Sequence, residues 1–509
     1  MEIQMDFVIS TFLLLLSLCF IIKEYRRYNN SKQNLPPGPR KLPLIGNLHQ
    51  LLCLGSSEFR PHVALRNLAD EYGPLMHLKL GQRLAVVVSS AEVAKELLST
   101  HDLTFANRPQ LLVGKIVWYD FSNIVFAQYG DFWRQMRKIC NSELLGQRKI
   151  QSFFPMMFDE VSSLVMSIQE HDIGTPINLS ERLSLMQFAI TCKATVGRTC
   201  SDQETLLMVM REVVTSAGMF SPEDLFPSIK ILQLIGGLKK KLTKMHQKAD
   251  HVVEEIIREH EIKRGTSAKP IEEDIVDVLL RLKESQDFLI PITRNNIKAV
   301  VFDMFVAGTT STTTVTEWAL SELVRNPRIM KKAQVEVRQV LKLGRERIDQ
   351  SHIQKLTYLR MVIKETLRLH PPGPLSFPRE SRDECKINGY TIPNKTVVLV
   401  NLWAIGRDPK YWENPETFEP ERFEGSPIDI TGTHFEYTPF GVGRRMCPGM
   451  PFGMAGVEVP LALLLYHFDW KLPNGMSPDE IDMAEKFSTS LERKNALCLV
   501  PSPYVGATY

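Results

Sequence analysis

Phe440-Gly441-Val442-Gly443-Arg444-Arg445-Met446-Cys447-Pro448-Gly449 places one cysteine in a glycine- and arginine-rich loop that opens onto a predicted helix. A thiol stays deprotonated where positive charge, backbone donors and a helix N-terminus surround it, and this loop offers all three. Gly441, Gly443 and Gly449 carry no side chain, so the backbone there can approach a flat macrocycle closely. An iron thiolate suits the arrangement better than any other use of a lone cysteine. A buried structural cysteine in a turn is the bland alternative.

Composition sets the class around that loop. The chain has 509 residues, 44% apolar and 23% charged, which is ordinary globular composition with enough chain for a large core. No Gly/Ser linker or repeat divides it, so the expectation is an anchor and basic flank over 1–34 followed by one catalytic domain over 35–509. A net charge of +3 and the lack of a basic stripe interleaved with aromatics argue against nucleic acid. The eight cysteines are scattered without a C-x-x-C pair, which disfavours zinc, dithiol redox chemistry and a disulfide framework.

From Phe7 to Ile22 the chain carries no charge, slightly less than the roughly 20 residues that span a bilayer comfortably. Glu2 and Asp6 precede this run, and Lys23, Arg26, Arg27 and Lys32 follow it, so the positive-inside rule puts the remainder in the cytosol. A cleaved secretory peptide is disfavoured: the positive charge follows the apolar run and no small-x-small cleavage site comes after. Leu35-Pro36-Pro37-Gly38-Pro39 then reads as a stiff hinge.

Helical spacing of apolar residues predicts helices over Met156 to Ile168, Leu238 to Arg264, Ile297 to Val324, Ile329 to Leu343 and Leu356 to Leu369. Strand signals are few: Leu75 to Leu80, Leu84 to Val88, Tyr390 to Ile392 and Val397 to Leu402. The expected fold is mainly α with a minor β-sheet region. The charged stretch Arg258 to Asp274 reads as a solvated loop and helix end.

Three patterns carry further chemistry. Glu365 and Arg368 lie three apart on one face of an apolar helix, where a buried pair wants another donor such as Arg422. Trp133 and Arg137, four apart, project from one face, and can jointly reach an anion or simply pack together. Ala307-Gly308-Thr309-Thr310-Ser311-Thr312 fits a helix bulged beside a small ligand, or a run of hydroxyls bonded back to the preceding turn.

Taken together these stretches resemble the cytochrome P-450 superfamily from hinge to last strands. The Cys447 loop matches Phe-x-x-Gly-x-Arg-x-Cys-x-Gly at every fixed position, and Glu365 with Arg368 and Pro420-Glu421-Arg422-Phe423 match the Glu-x-x-Arg and Pro-Glu-Arg-Phe elements. The resemblance implies a cytochrome P-450 fold with haem b, Cys447 as its axial ligand and Phe440 in the loop beneath it. It implies that Trp133, Arg137, Arg379 and Arg445 contact the haem carboxylates, and that Glu365, Arg368 and Arg422 form a structural scaffold. It implies Ala307 and Gly308 beside the haem, and a substrate pocket from Leu111 to Val125, Met219 and Phe220, Val301 to Phe305 with Ala307, and Leu375 to Phe377, with Phe487 closing one side. The distal motif departs from the family: Thr310 holds the usual acid position and Ser311 the usual threonine, so both are candidate catalytic residues in a weakened proton relay.

The hinge Leu35 to His49, Asn401 to Pro409 and Pro439 to Gly449 resemble plant microsomal members of the specialised-metabolism clan, especially terpenoid and terpenoid-indole-alkaloid oxidases. The implied activity is hydroxylation, epoxidation, desaturation or oxidative cyclisation of a hydrophobic metabolite with dioxygen. Electrons would come from NADPH through a separate NADPH-cytochrome P-450 reductase, with a cytochrome b-type electron donor as a second source, at the endoplasmic reticulum lipid bilayer. The chain lacks Gly-x-Gly-x-x-Gly, in keeping with an external reductase. The alternatives are a reductase-independent haem isomerase or dehydratase and a non-catalytic haem- or sterol-binding membrane protein.

Overall fold

The computed structural model describes residues 34–504 apart from 53–58, 173, 201, 219, 267–272, 286–287 and 343–347. Residues 1–33 of the expected anchor, and Met219, lie outside them. The described residues form a mainly α fold with small sheets.

The helices that position the site are α1 Asp131–Ile139, α2 Gln147–Gln169, α3 Leu179–Val196, α4 Gln203–Ala217, α5 Leu238–Thr266, α6 Arg294–Arg325, α7 Pro327–Lys342, α8 Thr357–Leu369 and α9 Met450–His467. The longest, α6, starts where the Thr293 hydroxyl accepts from the Asn296 amide and the Asn296 side chain reaches back to the Thr293 amide. It ends at Asn326, with Pro327 opening α7. Between these caps it is buried nearly all round, packed on α3, α8 and α9. A helix in that position must be apolar or paired on every side, which is why its sequence shows no single apolar stripe.

One four-stranded sheet closes the other side. Its strands are β1 Leu75–Leu80, β2 Arg83–Val88, β3 Arg379–Glu380 and β4 Val397–Val400, in the order β1-β2-β4-β3. β2 runs antiparallel to β1 and parallel to β4, with Ala85 opposite Val397, and β3 runs antiparallel to β4, with Arg379 opposite Val398. Near the C-terminus β5 Glu485–Phe487 and β6 Leu491–Arg493 form a hairpin whose turn reaches the interior.

Several elements differ from the expectation: the helix foreseen over Met156 to Ile168 already begins at Gln147, and the one foreseen from Ile297 begins at Arg294. The strand foreseen over Val397 to Leu402 stops at Val400, because the Asn401 side chain accepts from the Ala404 amide and caps a short helix. The stretch Arg258 to Asp274 is not uniformly solvated: buried His260 pairs with Asp274 at 2.9 Å, tying the end of α5 to the next helix. Among the described residues α9 alone is long and apolar enough to cross a membrane, but 72% of it is buried inside the protein, which makes it a core helix.

Candidate active site

An internal cavity of about 360 Å³ runs from Cys447 on one side to the face of α6 carrying Asp303, Ala307, Thr310 and Ser311 on the other. The Cys447 side is shaped by its loop. Gly441 and Gly443 adopt φ of 70° and 66°, a region costly for other residues, and the Cys447 amide donates to the Phe440 carbonyl at 2.9 Å. Asp102 fastens the loop from outside, accepting from the Arg444 amide at 2.9 Å and from Arg379 Nη1 at 2.9 Å. A Cβ on Gly443 would lie 2.8 Å from that carboxylate.

Cys447 has exposed surface, but that surface is cavity wall, so protein surrounds the sulfur. Burial pushes its thiol up, while the Gly449 amide and the Arg137 guanidinium pull it down. The guanidinium whose charge acts on the sulfur is therefore that of Arg137, which does not belong to the loop. Arg444 turns outward toward Asp102, and Arg445 reaches the carbonyls of Ala106 at 2.7 Å and Ala127 at 2.6 Å.

Four arginines line this half of the cavity: Arg108, Arg137, Arg379 and Arg445. Arg108 is held well below its ordinary value by burial and by Arg445 and Arg379; Arg445 is pushed down to about 9 by burial and by Arg379 and Arg137. Among the described residues the one carboxylate ion-paired to this group is Asp102. Buried positive charge in excess of its partners is unfavourable unless an anionic group completes it. Two carboxylates on a flat macrocycle against Cys447 supply that charge, so the residues present fit haem.

Trp133 and Arg137 both line the cavity, as their spacing allows, but the indole N–H donates to the Ile124 carbonyl at 3.1 Å while Arg445 stacks 4.4 Å over the ring. Here Trp133 anchors the Ile124 loop. Phe440, Ala307 and Gly308 also line the cavity. Behind the wall, Arg368 Nε and Nη2 donate to the two oxygens of Glu365 at 2.8 Å each, and Arg422 Nε donates to Glu365 at 2.9 Å. Glu365 and Arg368 are fully buried, and Arg368 also reaches the carbonyls of Gly406 and Pro415 at 2.6 and 2.7 Å.

The distal wall follows the second of the two readings of its sequence, hydroxyls bonded back to the preceding turn. No bulge interrupts α6 at Ala307 and Gly308, where the helix is regular. Its hydroxyls bond backward: Ser311 Oγ to the Ala307 carbonyl at 2.7 Å, Thr312 Oγ1 to that of Gly308 at 2.5 Å and Thr314 Oγ1 to that of Thr310 at 2.9 Å.

Of the expected substrate contacts, Val125 and Phe377 line the cavity. Leu111, Phe220, Val301, Phe305, Leu375 and Phe487 do not. Val301 and Phe305 sit about a quarter-turn off the cavity face of α6, where Phe305 meets Phe188 of α3 at 6.2 Å. Leu375, Phe220 and Phe487 pack in the apolar cluster under the sheet instead. The face of α6 that does line the cavity carries Met304, Ala307 and Ser311 at helical spacing, and the β5–β6 turn adds Thr489 and Ser490. Arg108 and Asp102 are site residues that local spacing did not reveal, and Asp303 fell inside the expected segment Val301 to Phe305 without a role of its own.

The comparisons with known proteins agree with this architecture. A family model described as "Cytochrome P450" matches residues 36–499. The chain is 50% identical over 500 residues to alstonine synthase from Alstonia scholaris, covering 96% of each chain, and 48% identical over 502 residues to premnaspirodiene oxygenase from Hyoscyamus muticus, covering 98% of each. A zebra fish cytochrome P450 structure with abiraterone superposes with a TM-score of 0.73 at 25% identity, over 87% of this chain and 100% of that one.

The chain belongs to the cytochrome P450 family. It is a haem-dependent monooxygenase of plant specialised metabolism, and the family implies a redox partner, a hydrophobic substrate and association with a membrane.

Proposed function

We propose that this monooxygenase oxidises an apolar plant metabolite of terpenoid or alkaloid type inside the cavity between Cys447 and α6, with Cys447 as the axial ligand of haem b. The observation that carries this reading is a single continuous space with the thiol on one wall and Ala307 and Gly308, both side-chain-poor, on the other. Bound there, haem supplies oxygen activation. The protein does the rest.

Arg108, Arg137, Arg379 and Arg445 line the half of the cavity beside Cys447 and would hold the haem carboxylates there. Glu365, Arg368 and Arg422 lock the segment behind the Cys447 loop, so the sulfur keeps its position. Val125 and Phe377 present apolar surface that orients a hydrocarbon skeleton and excludes water. The Ser311 hydroxyl donates its hydrogen bond to the Ala307 carbonyl, which leaves its oxygen free to accept from a water in the cavity. With Thr310 where the family carries an acid, proton delivery depends on such water or on a substrate group.

Residues 1–34 anchor the chain and residues 35–509 form the catalytic domain, facing the cytosol at the endoplasmic reticulum and drawing electrons from NADPH-cytochrome P-450 reductase or a cytochrome b-type donor. The names of alstonine synthase and premnaspirodiene oxygenase support the substrate class. The test is turnover of plant terpenoids and alkaloids by the full chain in microsomes, with and without reductase. Product only with reductase and NADPH supports the reading. Product without reductase, from a peroxide, would replace it with an isomerase or dehydratase.

A further inference from the structure

Among the described residues lining the cavity, Asp303 is the one carboxylate. It stands on α6 four residues before Ala307 and seven before Thr310, so all three share a face. Its Oδ1 accepts from Asn123 Nδ2 at 2.8 Å and its Oδ2 from the Ile124 amide at 3.0 Å. Both donors are neutral, and among the described residues no Lys, Arg or His forms an ion pair with it. The Trp118 indole and the Val125 amide also lie near the carboxylate, but the indole N–H makes no hydrogen bond of ordinary geometry, so close donors fill two of its roughly four lone-pair sites. Burial pushes Asp303 up to about 7, the mark of a negative charge that lacks a cation.

The surroundings suit a cationic nitrogen. Trp118 lies beside Asp303, with its ring 5.0 Å from Phe126 and 5.7 Å from Phe302. Aromatic faces attract a cation while tolerating the hydrocarbon attached to it. Arg108 and Arg445 donate to the carbonyls of Val125 and Ile124, the segment whose Ile124 amide Asp303 accepts, and neither forms an ion pair with Asp303.

We propose that Asp303 is the counter-ion for a protonated or quaternary nitrogen of the substrate, so that the cavity accepts a basic amine whose carbon skeleton extends toward Ala307 and Cys447. This rests on the cavity being the substrate pocket. It sets Asp303 apart from the Thr310 position: one carboxylate positions the ligand, and the usual proton-relay acid is replaced.

The test uses the full-length haem-loaded enzyme and two probes of the same shape, N-benzylpiperidine, cationic at neutral pH, and benzylcyclohexane, with affinities measured by equilibrium dialysis. Asp303→Asn is expected to weaken the amine by about tenfold and leave the hydrocarbon unchanged, while Asp303→Glu keeps most of the amine affinity. An equal amine affinity in parent and Asp303→Asn would overturn the proposal, though hydrocarbon binding would still uphold the pocket. If an enzyme with an intact reduced carbon monoxide spectrum bound neither probe, the pocket reading and the proposal would fall together.

Should Asp303→Asn not fold, the parent decides. Binding of the permanently charged N-benzyl-N-methylpiperidinium is expected to release protons at about pH 6, because Asp303 must ionise to receive it, and none at about pH 8.5. The Cys140 thiol, its titratable neighbour, is pushed far up by burial and stays neutral at both. Binding without proton release at about pH 6 would overturn the proposal.

Discussion

The Cys447 wall of the cavity is held by charge, and the α6 wall opposite is held by packing. Behind Cys447, Glu365 accepts from Arg368 and Arg422, Arg379 pairs with Asp102, and Arg108 and Arg445 grip backbone carbonyls of the loop between them. Across the cavity, each of Ser311, Thr312 and Thr314 bonds back to its own helix, and Asp303 is a buried carboxyl with no cation beside it. Directional bonds to several partners fix a cofactor's geometry. Packing with spare polar capacity leaves a face that different ligands can share, and the two walls divide the work that way.

Removing one member of the charge scaffold should have the largest effect. Arg368→Ala leaves buried Glu365 with Arg422 as its one cation beside the Glu419 amide and frees the carbonyls of Gly406 and Pro415, which costs on the order of 3–5 kcal/mol. Thermal unfolding should shift steeply downward and purified haem content should drop. If melting temperature and haem content stayed at parent values, charge would not be what holds this wall.

On the opposite wall, pH reads the uncompensated acid. Folding raises Asp303 from an ordinary 3.8 to about 7, so the folded chain keeps a proton that the unfolded chain releases. Stability from this group is therefore full below the unfolded value and lost as pH rises toward 7, by at most on the order of 4 kcal/mol. Asp303→Asn removes that loss, so urea unfolding of the variant should gain on the parent between about pH 4 and 7. A constant difference across that range would show that Asp303 is not held protonated.

Gly443→Ala probes the loop itself. A side chain at φ 66° is strained and its Cβ would meet Asp102, so roughly 1–3 kcal/mol of stability and some haem retention should be lost. An unchanged melting point would mean that the loop yields easily and does not hold the sulfur in place.

The smallest effect on stability belongs to the distal hydroxyls. Ser311→Ala should change unfolding by only about 0.5 kcal/mol, since a back-bonded serine contributes little to its helix. It should nonetheless lower product formed per NADPH consumed, and Thr310→Glu should raise that ratio. If neither substitution altered coupling, these hydroxyls would be helix filler and the distal wall would be packing alone.

The same contrast governs what the sequence disclosed. Glu365 and Arg368 are legible because their partnership is written at i, i+3, and the Cys447 loop because its glycines and cysteine are contiguous. The partnerships of Arg108, Asp102 and Asp303 are not, because they arrive from 180 to 277 residues away: Arg108 meets Phe377 and Pro378, Asp102 meets Arg379, and Asp303 meets Asn123. The helix over 294–325 was clear from its spacing, but its phase was not. With apolar residues all round, nothing local says that Met304 and Ala307 face the cavity while Val301 and Phe305 face α3 and the core. The strand ending at Val400 was overrun because apolar Leu402 continues the pattern past the Asn401 cap.

The reduced carbon monoxide difference spectrum of the parent and of Cys447→Ala, both expressed at full length with haem supplied, bears most directly on the central claim that Cys447 is the axial ligand. The parent should give the thiolate-type band and the variant should lose it, even in preparations that still bind haem. A thiolate-type band in Cys447→Ala would contradict the assignment and with it the division of labour between the two walls.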